Sequence, residues 1–194
     1  MTGENKRQIE HMLPLGFAFL LRYLTVTQAV LCCAGALVYG LFISPRVNKA
    51  GVREEERRRG FSTGKVLYAL TILLLILIFH KRMHIAAGAW AVLSLGDAAS
   101  NLAGRAWGVR KLPWSGQKTW VGLAAFALSS WAGSLLLVYW TASGLGQSLP
   151  QPGLVVAVCG AASLAAALVE TLPIPLDDNF TSPLAAAAVL AAVL

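Results

Sequence analysis

The chain has 194 residues, of which 57% are hydrophobic and only 13% are charged, and its formal net charge is +7. So few polar residues cannot cover the surface of a soluble globule, and several apolar runs approach the length that spans a bilayer. These runs are continuous and rich in Leu and Ala, which excludes the alternating segments of a transmembrane barrel.

The polar segment at residues 1–12 is expected to form a cytoplasmic N-terminus. Arg7 and His11 are four residues apart and would share a helix face near the membrane interface, either as an anchor or as part of a site. No small-residue cleavage pattern follows promptly, and Arg22 interrupts the next apolar run, so we expect the segment to be retained.

Seven apolar segments follow, of which the first and the last are short. They are residues 13–24, 25–43, 66–79, 85–103, 120–140, 154–169 and 183–194. The first segment is too short for a simple span and is tilted, re-entrant or paired with the second. We therefore predict an all-α, polytopic integral membrane bundle of about six or seven transmembrane helices, folded as a single membrane-embedded domain over residues 1–194.

The connection at residues 44–65 is the most basic part of the chain, with seven Lys or Arg residues against three Glu. The positive-inside rule predicts a cytoplasmic loop, and the same charges can attract lipid headgroups or nucleotide phosphates. This placement also puts the loops at residues 104–119 and 170–183 in the cytoplasm, although Lys81 and Arg82 disagree with it. We therefore expect their polar residues to form one site facing the cytoplasm, at the inner or plasma membrane if the protein is bacterial.

The first motif region, residues 91–122, contains a carboxylate inside an apolar segment. Asp97, Asn101 and Arg105 follow one another at intervals of four residues, and Gly104 comes three residues after Asn101. These four residues therefore fall on one helix face. An ionisable residue within a membrane segment costs at least about 2.5–3.5 kcal/mol on insertion scales, which indicates a functional site. The alternative is a polar contact between closely packed helices.

The second motif region, residues 170–183, presents oxygen-bearing side chains. Glu170 ends an apolar helix, two prolines force an extended turn, and Asp177, Asp178 and Asn179 follow. Hard cations such as Mg²⁺ prefer such ligands and commonly bridge carboxylates to nucleotide phosphates. The alternative is a turn that caps the next helix. Together with Asp97 and the basic loop, this region favours phosphoryl or nucleotidyl transfer.

The two regions resemble the motifs of the polyprenol kinase family, which comprises phytol, farnesol and dolichol kinases and the CTP-dependent diacylglycerol kinase. The first motif is Gly-Asp-Ala-Ala-Ser at 96–100, Gly-Arg at 104–105, Gly108, Lys-Leu-Pro at 111–113, Lys-Thr at 118–119 and Gly122. The second is Glu170, Leu-Pro at 172–173, Asp-Asp-Asn at 177–179 and Pro183. Arg7 with His11 is similar to the family's N-terminal Arg-Lys-x-x-His, with Gln8 in place of the Lys.

The resemblance implies a Mg²⁺-dependent kinase that transfers the γ-phosphoryl group of CTP to a membrane lipid alcohol, and one aspartate accepts the alcohol's proton. The implied catalytic residues are Asp97, Asp177 and Asp178. The implied metal ligands are Asp97, Glu170, Asp177 and Asp178. The implied nucleotide-binding residues are Asn101, Gly104, Arg105, Lys111, Lys118 and Asn179. The expected partners are a nucleoside triphosphate, a lipid alcohol and the bilayer, without nucleic acid; an oligomer is compatible with the sequence.

One position departs from the family pattern, and two other functions stay open. Val121 stands where related sequences usually carry an acidic residue. A phosphatidate cytidylyltransferase shares the Asp and the Lys-Thr-Trp-x-Gly stretch, but its terminal Leu-Asp-Arg-x-Asp-Ser motif is absent. A small transporter or non-catalytic membrane partner would use Asp97 as an ion or proton site. The sequence does not select among the lipid alcohols.

Overall fold

The computed structural model describes residues 12–43, 46 and 61–194. The Arg7 and His11 pair and most of the basic connection at residues 44–65 lie outside the described residues. The α-helices of the described part, in chain order, are α1 Leu15–Leu20, α2 Val26–Val38, α3 Thr63–Ile78, α4 Met83–Ala91, α5 Asp97–Trp107, α6 Trp120–Gly144, α7 Pro152–Thr171 and α8 Asp178–Val193.

Two π-helical turns join these helices into longer elements. Tyr39–Ile43 continues α2, and Val92–Gly96 connects α4 to α5 without a break. Three elements are long and apolar enough to cross a membrane, namely Val26–Ile43, Trp120–Gly144 and Pro152–Thr171, and α3 and α8 are shorter apolar helices. The described residues contain no strand, only an isolated bridge between Lys111 and Thr119. The predicted all-α membrane bundle is confirmed.

The boundaries differ from the sequence prediction at both ends of the bundle. α1 has only six residues and packs against α4 and α6. α8 begins at Asp178, five residues before the predicted start, because the Asp177 side chain accepts a hydrogen bond from the Asn179 backbone and caps the helix. Pro183 therefore lies inside α8, in its second turn, where it has no N–H to donate to the Asn179 carbonyl.

The centre of the bundle is α4, all of whose nine residues are buried. A helix that is apolar on every side needs neighbours on every side, and α4 packs against α1, α3, α6 and α8. The Trp90 indole of α4 donates to the Tyr68 hydroxyl at 2.7 Å, and that hydroxyl lies 2.6 Å from Ser94 Oγ. This network joins α3 to the turn that leads into α5.

The turn before Asp97 lies directly against α6. A Cβ atom on Gly96 would overlap Ser130 Oγ and would come within 2.7 Å of the Phe126 ring, which is 1% exposed. Only glycine permits this approach, and the approach sets the position of the residue that follows it. Gly96 therefore packs closely, as the helix-packing alternative expects, and the functional role of the adjacent Asp97 stays a prediction.

Gly96→Ala is expected to lower the free energy of unfolding by about 1–3 kcal/mol, because the buried Phe126 ring cannot move aside. An alanine in an unhindered helix would instead stabilise slightly. The measurement is thermal unfolding in detergent. Gly16→Ala in α1 is the control, since a Cβ there meets no atom within 4 Å. Equal melting temperatures for the two variants would contradict the packing argument.

Candidate functional site

Asp97 begins α5 and is oriented by the next turn of its own helix. The Asn101 side-chain amide donates to Asp97 Oδ1 at 2.7 Å and to the Asp97 carbonyl at 3.0 Å. The Asp97 side chain is half-buried, so it lies at the boundary between the apolar bundle and its polar end. Asn101 thus holds the carboxylate in one orientation.

The loop at residues 108–119 folds back to the start of α6. The Leu112 amide donates to the Lys118 carbonyl at 2.8 Å, the Trp120 amide donates to the Arg110 carbonyl at 3.1 Å, and Leu112 is buried. The Trp114 indole donates to Thr171 Oγ1 at 3.0 Å, which ties the loop to the end of α7. These contacts turn the Lys118 side chain toward α7.

Glu170 is the buried carboxylate of the site, with a side chain only 3% exposed. The Lys118 ammonium donates to Glu170 Oε1, and Ser182 Oγ on α8 donates to Oε2 at 3.2 Å. Both carboxylate oxygens therefore have partners, from two other elements of the bundle. Such pairing is what a buried charge requires.

Three carboxylates converge at this point. Asp97, Glu170 and Asp178 each offer an oxygen, and these oxygens lie within 4.8 Å of one another. The Lys118 ammonium also lies 3.8 Å from Asp178 Oδ2. We name Asp97, Glu170, Asp178 and Lys118 the charged cluster. It joins α5, α7, α8 and the loop at 108–119, which are distant in sequence.

The charged cluster has an excess of negative charge that a cation would balance. Burial lowers the pKa of Lys118, but its attraction to Glu170, Asp178 and Asp97 outweighs burial and raises it above the ordinary value of 10.5. The ammonium therefore stays charged at neutral pH, and its stabilising contribution is lost only as the pH rises through the raised value. The hard oxygen donors fit Mg²⁺, and Lys118 already shows that a cation contacts two of them.

The other predicted site residues lie outside the charged cluster, and they differ in their hydrogen bonds and in their exposure. Asp177 Oδ1 accepts from the Asn179 backbone at 3.0 Å and side chain at 2.8 Å, so this carboxylate caps α8 and is outside the group of three. Asn179 is buried and lies beside Gly64 of α3. Arg105 is exposed and donates to the Asn101 carbonyl at 3.0 Å, and Lys111 is exposed. The ligand roles of Asp177 and Lys111 stay predictions.

A cavity of about 120 Å³ opens beside the charged cluster, between α5, α6 and α7. Gly122 lets α5 and α6 approach closely here, since a Cβ on Gly122 would lie 3.1 Å from the Ser100 carbonyl oxygen. The polar residues that line it are Ser100, Asn101, Arg105, Gln117, Lys118, Thr119, Glu170 and Thr171. We call this space the donor cavity, after the phosphoryl-donor role that is proposed for it below.

Sequence reasoning missed three residues of this region, namely Gln117, Thr171 and Ser182. Gln117 and Thr171 line the donor cavity, and Ser182 holds Glu170. The first two adjoin predicted residues, so proximity in the chain could have suggested them. Ser182 is twelve residues from Glu170 and on the next helix, and no spacing pattern indicates that contact.

The chain is similar to proteins named for lipid alcohol kinases. It is 32% identical over 173 residues to a probable phytol kinase, chloroplastic, of Triticum aestivum, covering 84% of this chain and 55% of that protein. It is 30% identical over 161 residues to phytol kinase 1, chloroplastic, of Arabidopsis thaliana, covering 81% of this chain and 52% of that protein. It is 32% identical over 132 residues to farnesol kinase, chloroplastic, of Arabidopsis thaliana, covering 67% and 42%.

The chain thus spans about half the length of the curated relatives that it matches. No family model and no solved structure matches it.

We expect Mg²⁺ to raise the melting temperature of the protein in detergent, and Asp178→Asn to abolish most of that rise. The asparagine keeps the shape of the side chain and removes one of three converging charges. Asp177→Asn is the matched control, because asparagine caps a helix as well as aspartate and this carboxylate lies outside the group of three. Equal loss of the Mg²⁺ effect in both variants would show that Asp177 is also a ligand.

Proposed function

The aligned part of the chain, most of its length, belongs to the family of phytol and farnesol kinases, and on this premise we propose that the protein phosphorylates a membrane lipid alcohol. The observation that carries the proposal is the charged cluster beside the donor cavity at one end of an apolar bundle. Three carboxylates, a paired lysine and a cavity with cationic lining are the components of phosphoryl transfer, which depends on positioning and charge neutralisation.

The phosphoryl donor we propose is CTP, following the family resemblance of the two motifs. Its phosphates would lie in the donor cavity, where Arg105 and Lys118 supply positive charge. Gly104 has no side chain to occupy this space. Asp97, Glu170 and Asp178 would hold Mg²⁺, which when bound would neutralise the charge of the transferred phosphoryl group. Asn101 keeps Asp97 oriented for that task.

The reaction forms one bond and breaks one. The alcohol oxygen bonds to the γ-phosphorus, the bond from that phosphorus to the bridging oxygen breaks, and the nucleoside diphosphate leaves. A carboxylate accepts the hydroxyl proton. Glu170 is already engaged on both oxygens by Lys118 and Ser182, which favours Asp97 or Asp178 as the acceptor.

We place the site on the cytoplasmic side of the membrane. Asp97 begins α5, Lys118 precedes α6, Glu170 is near the end of α7 and Asp178 begins α8, so these helix termini meet at the charged cluster. The start of α3 lies at the same end, as the contact of Gly64 with Asn179 indicates, and the turn after α2 meets α3 there through Gly40 and Val66. The basic connection between α2 and α3 therefore starts and ends at this end of the bundle. The positive-inside rule supports a cytoplasmic location for that end.

The first experiment is incubation of the purified protein with γ-³²P-labelled CTP, Mg²⁺ and a panel of phytol, farnesol, polyprenol and diacylglycerol in liposomes. We expect label in a lipid phosphate and release of CDP. Pyrophosphate release with phosphatidate as the acceptor would replace the proposal with cytidylyl transfer. Ion flux without nucleotide turnover would indicate a transporter.

Asp97→Asn is expected to lower kcat by at least about a hundredfold while leaving the melting temperature near that of the unmodified protein, because shape is kept and charge is lost. Asp177→Asn, which keeps the helix cap, is the comparison variant. If Asp97→Asn instead prevented folding and Asp177→Asn alone lost activity, the role assigned to Asp97 would be wrong.

Lys118→Met is expected to have opposite effects on the two ligands. The nucleotide KM rises because a phosphate-binding charge is lost, whereas Mg²⁺ binds more tightly without nucleotide because the carboxylates lose their internal cation. Initial rates over a range of CTP concentrations and Mg²⁺ titration by calorimetry test the two effects. An unchanged nucleotide KM would remove Lys118 from the donor site.

A further inference from the structure

A second cavity, much larger than the donor cavity, lies between α1, α2 and α3. Its volume is about 590 Å³, within the range of about 300–1,000 Å³ that is usual for small-molecule sites. Its walls are mainly apolar, with buried Leu21, Ala29 and Ile72 and the exposed side chains of Phe17 and Tyr39 among the lining residues. We name it the α1–α3 groove.

The polar residues of the groove are gathered at one end. Ser62, Lys65, Tyr68 and Asn179 line the end near the start of α3, and Leu13, Leu24, Ala29 and Ile76 line the remainder. Asn179 is adjacent in sequence to Asp178 of the charged cluster, and the Tyr68 hydroxyl lies 2.6 Å from Ser94 Oγ in the turn that precedes Asp97. The polar end of the groove therefore meets the charged cluster.

The two cavities share this boundary but lie on different sides of it. The donor cavity is lined by α5, α6, α7 and the loop at 108–119, whereas the groove is lined by α1, α2, α3, Trp90 and Asn179. Among the described residues, none lines both cavities. A donor in the first cavity and an acceptor in the second would therefore reach the carboxylates by separate routes.

The groove has the length of one lipid chain. It follows α3 from Ser62 to Ile76, which is about 21 Å at the rise of an α-helix. An extended chain advances about 1.2 Å for each backbone bond, so this length accommodates roughly 17 bonds. A single cleft between α1, α2 and α3 suits one chain, whereas a diacyl lipid would bring two.

We propose that the α1–α3 groove binds the hydrocarbon chain of a single-chain lipid alcohol, with the hydroxyl at the Tyr68 and Asn179 end beside Asp178. This inference rests on the proposed function, because it supplies the acceptor for the same reaction. Two positions along α2 would limit the length of the bound hydrocarbon chain. Measured along the helix from Tyr39 at the polar end, Gly35 lies about 6 Å away and Cys32 about 10 Å away. Both residues line the groove, and a Cβ on Gly35 would meet nothing within 4 Å.

The binding test uses the exposed thiol of Cys32 and needs no catalysis. Cys33 and Cys159 are buried, so a maleimide in detergent should label Cys32 first. We expect phytol or farnesol, without nucleotide, to slow that labelling at least about fivefold. In a Cys32→Ala, Gly16→Cys variant the new thiol lies on α1 outside the groove, and its labelling rate should not change. Equal protection of both thiols, or protection of neither, would contradict the proposal that the alcohol binds in the groove.

The specificity test blocks the groove at two depths. Gly35→Phe is expected to lower kcat/KM for a C20 alcohol and a C15 alcohol at least about tenfold, while Cys32→Phe penalises the C20 alcohol more than a C10 alcohol. Gly16→Phe is the control for a bulky residue on an exposed position outside the groove. A uniform loss for all chain lengths, or none, contradicts the assignment.

The two tests separate this inference from the proposed function. Protection of Cys32 without phosphorylation of any alcohol would support binding of the alcohol in the groove and overturn the kinase assignment. Phosphorylation without protection of Cys32, and without a chain-length effect in the two phenylalanine variants, would leave the kinase assignment in place and overturn the groove.

Discussion

The ion pair between Lys118 and Glu170 is the contact on which the site depends. A carboxylate that is 3% exposed at the end of an apolar helix has to be paired, and the lysine comes from a loop more than fifty residues earlier in the chain. Its formation brings the loop at 108–119 against α7, and the contact of Ser182 with the same carboxylate brings α8 to both. Asp97 and Asp178 then lie where their charges add to that of Glu170.

The charged cluster lies between two cavities of different size and shape, the donor cavity and the α1–α3 groove. On one side the donor cavity is small, and its lining residues include Arg105, Lys118 and several with hydroxyl groups. On the other side the α1–α3 groove is long and apolar, with polar groups only where it meets the carboxylates. The proposed kinase would have to bring a water-soluble donor and a membrane-dissolved acceptor to one point, and this arrangement would provide a separate route for each.

Close packing supports the electrostatic arrangement. The buried α4 and the turn at Val92–Gly96 carry the chain to Asp97 past Phe126, in contact that only glycine allows. Gly104 and Gly122 repeat the close approach one turn into the donor cavity. The small residues of this region are therefore packing residues as well as part of the site, so the structural and functional interpretations of the sequence are complementary.

The sequence by itself determined the helical membrane class, five of the seven apolar segments closely, and the two regions that carry the candidate site, because hydrophobic runs and charges within them are local properties of the chain. Only the tertiary structure decided which acidic residues meet. It separated Asp177, whose oxygen is used within its own turn, from Asp178, which lies one residue further along the helix and reaches Glu170 and Asp97. It also revealed Ser182 and the α1–α3 groove. These depend on which distant helices pack together, and the periodicity of one helix indicates its buried face but not its partner.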